Sequence, residues 1–203
     1  MLRHVIRVLC ILALAVRAAF GQAAGVPETL SADDRELVRL FLELSLKERA
    51  GWSADSAVLL DSTRQLCDGS ARRDCLNPTL LDDLTLPSAT ALMPECARVD
   101  YPTLRKAFVD RNIRTWRIGA FQTPLTIASG SQVRAMSQDG LLGRFAGRRF
   151  IEVNAPAYDP GGRFALVFVR GFCAFDCSWS VLQVFERRVE GWTPVHCGIH
   201  VTA

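Results

Sequence analysis

The sequence predicts an α+β domain in which N-terminal helices pack on a C-terminal antiparallel sheet braced by disulfides. Three observations carry this expectation. Leu37, Leu40, Phe41 and Leu44 recur at i, i+3, i+4 and i+7, which is one apolar face of a helix. From Ile151 to Ala203 apolar runs alternate with turn signals, as the strands of an antiparallel sheet do. Six cysteines (Cys67, Cys75, Cys96, Cys173, Cys177 and Cys197) follow an export-type N-terminus, and an even number in an exported chain reads as a disulfide set.

The helical half comes first. Ser31 is placed as an N-cap, with Asp33 and Asp34 in a first turn where the helix dipole favours acids, so a helix is expected from Ala32 to Ala50, with Gly51 as its stop. Val58-Leu59-Leu60 is too short for its period to separate strand from helix. Pro78 with Leu80, Leu81 and Leu84 suggests a short helix, and Pro102 before Leu104, Phe108 and Val109 a second one over Thr103–Arg111. Leu125–Ala128 reads as a short strand and Ser131–Met136 as a helical turn. Helices early and strands late are the pattern of an α+β domain with its helices on one side of the sheet; a cystatin-like or cone-shaped fold is one candidate.

In the sheet half, Phe164-Ala165-Leu166-Val167-Phe168-Val169 is an unbroken apolar run, the mark of a strand covered on both faces. Asp159-Pro160-Gly161-Gly162 before it supplies the fixed φ and glycine freedom of a tight reversal. Cys173 to Cys177 turns the chain into Ser178–Arg187, and Trp192–Val201 puts Thr193, Val195, Cys197, Ile199 and Val201 on one face. The order Tyr158-Asp159-Pro160-Gly161-Gly162, Ala165-Leu166-Val167-Phe168-Val169, Cys173 with Cys177, Val181–Phe185 and Gly191-Trp192 resembles a group of uncharacterised bacterial secreted or periplasmic proteins. Their C-terminal sheet carries an ALV strand, a C-x₃-C turn and a final strand opening on Trp. The resemblance covers about the last quarter of the chain. It implies an exported α+β module and brings no catalytic residue with it.

Arg3 and Arg7 precede the apolar stretch Val8–Val16, and small residues follow, so residues 1–23 read as a cleavable signal peptide, cut after Gly21 or Ala23. The stretch is far too short to cross about 30 Å of hydrocarbon. Residues 24–203 then form a single domain, secreted or periplasmic. Removing three arginines and no acid takes the formal charge from +3 to zero, which gives no bulk electrostatic reason to expect nucleic acid or a membrane surface as partner. The charge is instead divided: residues 24–100 carry 14 acids and 8 bases, and residues 101–203 carry 7 acids and 13 bases. Either the two halves face each other, or part of the basic half meets an anion.

Candidate chemistry is sparse. His196 and His200 are the only histidines after residue 23, and on a strand they stand about 13 Å apart. No G-x-S-x-G or phosphate-binding glycine loop is present, and Gly140-Leu141-Leu142-Gly143-Arg144 lacks the P-loop lysine. The cysteine spacing is not that of a zinc site, and no metal or cofactor is expected. Asp82-Asp83 reads as a solvated turn, with Glu152 and Asp176 as distant acids that only tertiary structure can bring near. Trp52 and Trp116 border loops, where an exposed ring would suit a sugar or peptide. The stretch singled out as a ligand site is Arg144, Arg148 and Arg149, interleaved with Phe145 and Phe150 and flanked by Gly143 and Gly147, since planar arginines beside aromatics suit carboxylate or phosphate groups.

Three function classes follow: a non-enzymatic exported module that binds a protein or peptide, a pocket for a small anionic ligand, and a small secreted hydrolase. The expected bridges are Cys67–Cys75, Cys173–Cys177 and Cys96–Cys197; the short loops contribute about 2–3 kcal/mol each and the long one about 4.7 kcal/mol. Non-reducing digestion and mass spectrometry of exported protein should find no free thiol, and any free cysteine would overturn the three-bridge assignment.

Overall fold

A computed structural model describes residues 27–47, 56–67, 75–77, 81, 96–120, 122–145, 147–173 and 178–201, with backbone only at 138, 142 and 196–201. Its first helix, α1 (Ala32–Lys47), starts as its sequence dictates. Ser31 Oγ accepts the Asp34 N–H at 3.1 Å while the Asp34 carboxylate accepts the Ser31 N–H at 2.9 Å, a reciprocal cap on two orphan donors. The expected extension to Ala50 lies outside the described residues, as do Gly51 and Trp52.

Seven strands form one mixed sheet: β1 (Ala57–Leu60), β2 (Thr126–Ala128), β3 (Arg149–Val153), β4 (Ala157–Tyr158), β5 (Phe164–Cys173), β6 (Ser178–Arg188) and β7 (Gly191–Val201). The order is β2-β1-β3-β5-β6-β7, with β4 paired to β5. Strands β3 to β7 pair antiparallel, as the sequence predicts, with a bulge between Leu182 and Val184. Beyond them the sheet is extended by two parallel neighbours, β1 beside β3 and β2 beside β1. Val58-Leu59-Leu60 therefore resolves as strand, and every residue of β1 is buried because the sheet is covered on both faces there. Parallel pairing needs long crossovers. Here they carry a 3₁₀ turn (Cys96–Arg98) and α2 (Tyr101–Asn112) between β1 and β2, then α3 (Gly130–Ala135) and α4 (Gln138–Arg144) between β2 and β3.

The helices occupy both faces rather than the one expected. On the first face α1 covers Leu59, Ile151, Val153, Val167, Val169, Val181 and Phe185. On the second, α2 covers one end, over Leu166, Phe168, Leu182 and Val184, while α3 and α4 cover the other, over Val58, Leu60 and Phe150. This second face is thus two apolar patches with a polar band between them. The turn after α2 brings Trp116 into the first core, buried and donating from its ring N–H to the Arg111 carbonyl at 3.0 Å. It is core, as Trp179 is, and not a surface ring.

Two further expectations change in detail. The buried stripe of α1 runs through Asp34, Leu37, Val38, Phe41, Leu42 and Ser45, leaving Leu40 and Leu44 partly buried at its border. The cause is Asp34: its side chain is fully buried, bonded by Arg111 at 2.6 Å and by the Tyr158 hydroxyl at 2.8 Å, and this anchors the helix one position round from the face that leucines alone suggest. Of the cysteines, Cys67–Cys75 is a disulfide as expected, and Cys96 and Cys173 are disulfide-bonded too. Cys177 and the Cys197 side chain lie outside the described residues, as do Asp82, Asp83, Asp176 and the side chains of His196 and His200. No helix among the described residues is long and apolar enough to cross a membrane.

The helix stripe has a direct test. Leu37→Asp puts an unpaired charge at a fully buried position and should cost about 3 kcal/mol or more. Arg39→Asp removes exposed pairs with Glu36 and Glu43 and should cost only about 1 kcal/mol. Leu40→Asp should fall between the two in urea melts; Leu40→Asp as damaging as Leu37→Asp would restore the leucine-centred face.

Candidate anion site

The polar band on the second sheet face is built by strand parity. In β3, Phe150, Glu152 and then Asn154 share that face; in β5, Phe172, Arg170 and Phe168 do. The antiparallel register sets Phe150 opposite Phe172 and Glu152 opposite Arg170. The two phenylalanine rings stack with centroids 5.2 Å apart, closing the apolar patch under α3 and α4. One step along, the face turns from apolar to ionic.

Glu152 is 1% exposed, so its carboxylate has lost nearly all its water and needs compensation from the protein. Two arginines from distant parts of the chain supply it. Arg64, past the end of β1, reaches one carboxylate oxygen at 3.0 Å, and Arg134 on α3 reaches the other at 3.2 Å. Each arginine is held a second time: Arg64 donates to the Cys75 carbonyl at 3.2 Å, and Arg134 to Ser62 Oγ at 2.9 Å. Gly130 makes room for the second contact, because a Cβ there would come within 2.5 Å of Ser62 Oγ and 2.9 Å of the Arg134 guanidinium. Asp61 accepts the Gly130 N–H at 2.8 Å and so ties the start of α3 to the end of β1.

Arg170 is the third arginine of the group. Although it faces Glu152 across the strands, its guanidinium makes no hydrogen bond or salt bridge with any described residue. It lies instead over the Phe172 ring, 5.9 Å from the centroid. Burial, and then the nearby charge of Arg64, push its pKa down, with Glu152 opposing them. Three guanidinium charges against one carboxylate leave the band net positive.

A cavity of about 270 Å³ opens on this band, lined by the charged groups Arg64, Arg134, Glu152 and Arg170 and by the apolar Val133, Met136, Leu141 and Phe172. A larger cleft of about 660 Å³ shares Arg64 and Arg134 and is otherwise lined mainly by polar groups, among them Asp61, Ser62, Thr63 and the exposed Arg117. Several of its polar atoms are committed to structure: Asp61 to Gly130, Ser62 to Arg134, and Thr63 Oγ1 to the Trp116 N–H at 2.9 Å. Despite its size it is the poorer candidate, since Arg117 is exposed, whereas the smaller cavity combines the half-buried Arg170 with apolar lining residues.

The arginines singled out from sequence fall elsewhere. Arg144 ends α4 and is exposed, 5.5 Å from the Phe145 ring centroid; Arg148 sits in the turn before β3; Arg149 opens β3. None lines either cavity. Their interleaved aromatics serve the core: Phe145 packs edge-on against Phe150 at 5.3 Å. Gly147, at φ +70°, shapes the turn itself.

A second acid, Glu186, also gathers three arginines, Arg98 at 3.2 Å, Arg163 at 2.8 Å and Arg188 at 3.3 Å. The Arg163 hydrogen bond, with the charges of Arg98 and Arg163, holds its carboxyl below the usual range. All three partners are about half exposed and all bond Glu186, so this cluster closes on itself. Among the described residues, no group of three or more His, Cys, Asp or Glu side chains is placed to hold a metal ion. Comparison with protein-family models, curated proteins and solved structures finds no match to this chain.

Glu152 is the keystone of the band, and its removal should show it. Glu152→Gln leaves Arg64 and Arg134 largely buried beside Arg170 with no counter-charge, at a cost of about 3 kcal/mol. For a domain of this size that is roughly a 6–12 °C fall in Tm. A Tm within a degree of the unmutated protein would show that the ion cluster does not hold the three elements together.

Proposed function

We propose that this protein is an exported, non-enzymatic binding protein for a small anion, which it takes in the cavity between β3, β5 and α3. The observation that carries the reading is Arg170: a half-buried guanidinium, lining a cavity, with no hydrogen-bonding partner among the described residues and two other arginines alongside. A planar guanidinium offers parallel donors matched to a carboxylate or phosphate edge, and an arriving anion offsets the excess positive charge. Arg64 and Arg134 are fixed by Glu152, so the positive field is in place before the ligand arrives and little ordering cost remains. Export rests on the N-terminal signal pattern and on the disulfides, in keeping with the resemblance to secreted and periplasmic proteins.

The test is a titration of the purified protein with small carboxylates and inorganic phosphate in low-chloride buffer, followed by calorimetry. Charge-assisted hydrogen bonds to Arg170 contribute about 1.5–3 kcal/mol each, so Arg170→Met should weaken binding by about tenfold or more. The Tm should hold or rise, because the substitution removes a poorly solvated charge. The double variant Arg148→Ala/Arg149→Ala should bind as the unmutated protein does. Binding that follows the double variant and ignores Arg170→Met would move the site to the loop before β3.

A further inference from the structure

The two walls of the cavity differ in chemistry, and together they narrow the ligand class. On the ionic wall only one guanidinium is uncommitted. Arg64 and Arg134 have each placed one donor on Glu152 and another on Cys75 or Ser62, so they contribute field more than free donors. A single planar fork matches a single carboxylate edge. A phosphate dianion brings three acceptor oxygens, more than one fork serves. The rest of the lining is the surface of the apolar patch under α3 and α4: Val133 is buried in that patch, Leu141 and Phe172 pack against it half-exposed, and Met136 is half-buried. An inorganic ion fills none of this surface. The volume, about 270 Å³, sits just below the usual range of roughly 300–1,000 Å³ for ligand pockets, which suits a molecule smaller than a typical drug.

We infer that the ligand is a small monocarboxylate with an apolar body, its carboxylate on Arg170 and its hydrocarbon or aromatic part against Phe172, Leu141, Met136 and Val133. This rests on the anion-binding reading above and adds to it the shape and polarity of the rest of the molecule. Phe172 serves both ends, since its ring lies under the Arg170 guanidinium and also forms part of the apolar wall.

Calorimetric titration of the unmutated protein with acetate, hexanoate, phenylpropionate, hexanol and inorganic phosphate tests the inference directly. Each methylene buried should tighten binding by up to about fourfold, so hexanoate and phenylpropionate should bind roughly tenfold or more tighter than acetate. Hexanol and phosphate should each bind far more weakly than hexanoate. Met136→Gln, at a half-buried position, should weaken hexanoate more than acetate and so narrow the gap between them. If acetate or phosphate binds as tightly as hexanoate, and does so through Arg170, the apolar-body inference is overturned while the anion site stands. If hexanol matches hexanoate, the carboxylate requirement fails. If none of the anions binds in an Arg170-dependent way, both readings fail together.

Discussion

Burying one carboxylate in the middle of a sheet face constrains much of this structure. Glu152 sits where apolar patches press in from both ends, and a carboxylate there survives only if both oxygens are bonded and its charge matched. The partners come from Arg64, beyond β1, and from Arg134, on α3. Satisfying one side chain therefore fixes how the end of β1, the start of α3 and the centre of β3 are placed. It also fixes what remains: with Arg64 and Arg134 holding Glu152, the cross-strand partner Arg170 is left facing the cavity.

Asp34 does similar work at another edge of the domain. It caps α1 through Ser31 and takes Arg111 from α2 and the Tyr158 hydroxyl from β4. Burial, followed by the Asp34 charge, pushes the Tyr158 pKa well above its usual value, so the hydroxyl stays a donor throughout the physiological range. Glu28 to Arg114 and Asp33 to Arg187 add exposed pairs of the same polarity. Acids of the N-terminal half thus meet arginines of the C-terminal half, which accounts for part of the charge division along the chain. The exposed pairs add little stability; the buried one sets the angle at which α1 meets the sheet.

The two arginine-ringed glutamates show why composition alone does not make a site. Around Glu186 all three arginines reach solvent and all bond the acid, so charge is matched by ligation and by water. Around Glu152 the arginines are more deeply placed, two are locked, and the third is displaced onto an aromatic ring beside an open volume. Similar residue types give a closed cap in one place and an uncommitted cation in the other. The difference lies in where the third guanidinium is placed and in how much space is left over.

Periodicity and local chemistry sufficed for the helix from Ala32, its Ser31 cap, the strands from Phe164 to Val201 and the Cys67–Cys75 bridge, because each is decided by neighbours within a few residues. They also sufficed for the α+β class. The site was not legible in the same way. A sign of it was present: Glu152 lies between Ile151 and Val153, and Arg170 is the one charge in the apolar run of β5, which is unusual unless something pairs with them. Yet their facing each other depends on the β3–β5 register, and the arrival of Arg64 and Arg134 depends on the parallel placement of β1 and on α3. Clustering along the sequence instead favoured Arg144, Arg148 and Arg149, whose adjacent phenylalanines were in fact core residues. Charges far apart in the chain carry no mark of their partners, and only the packing of the sheet decided which arginine would be left over.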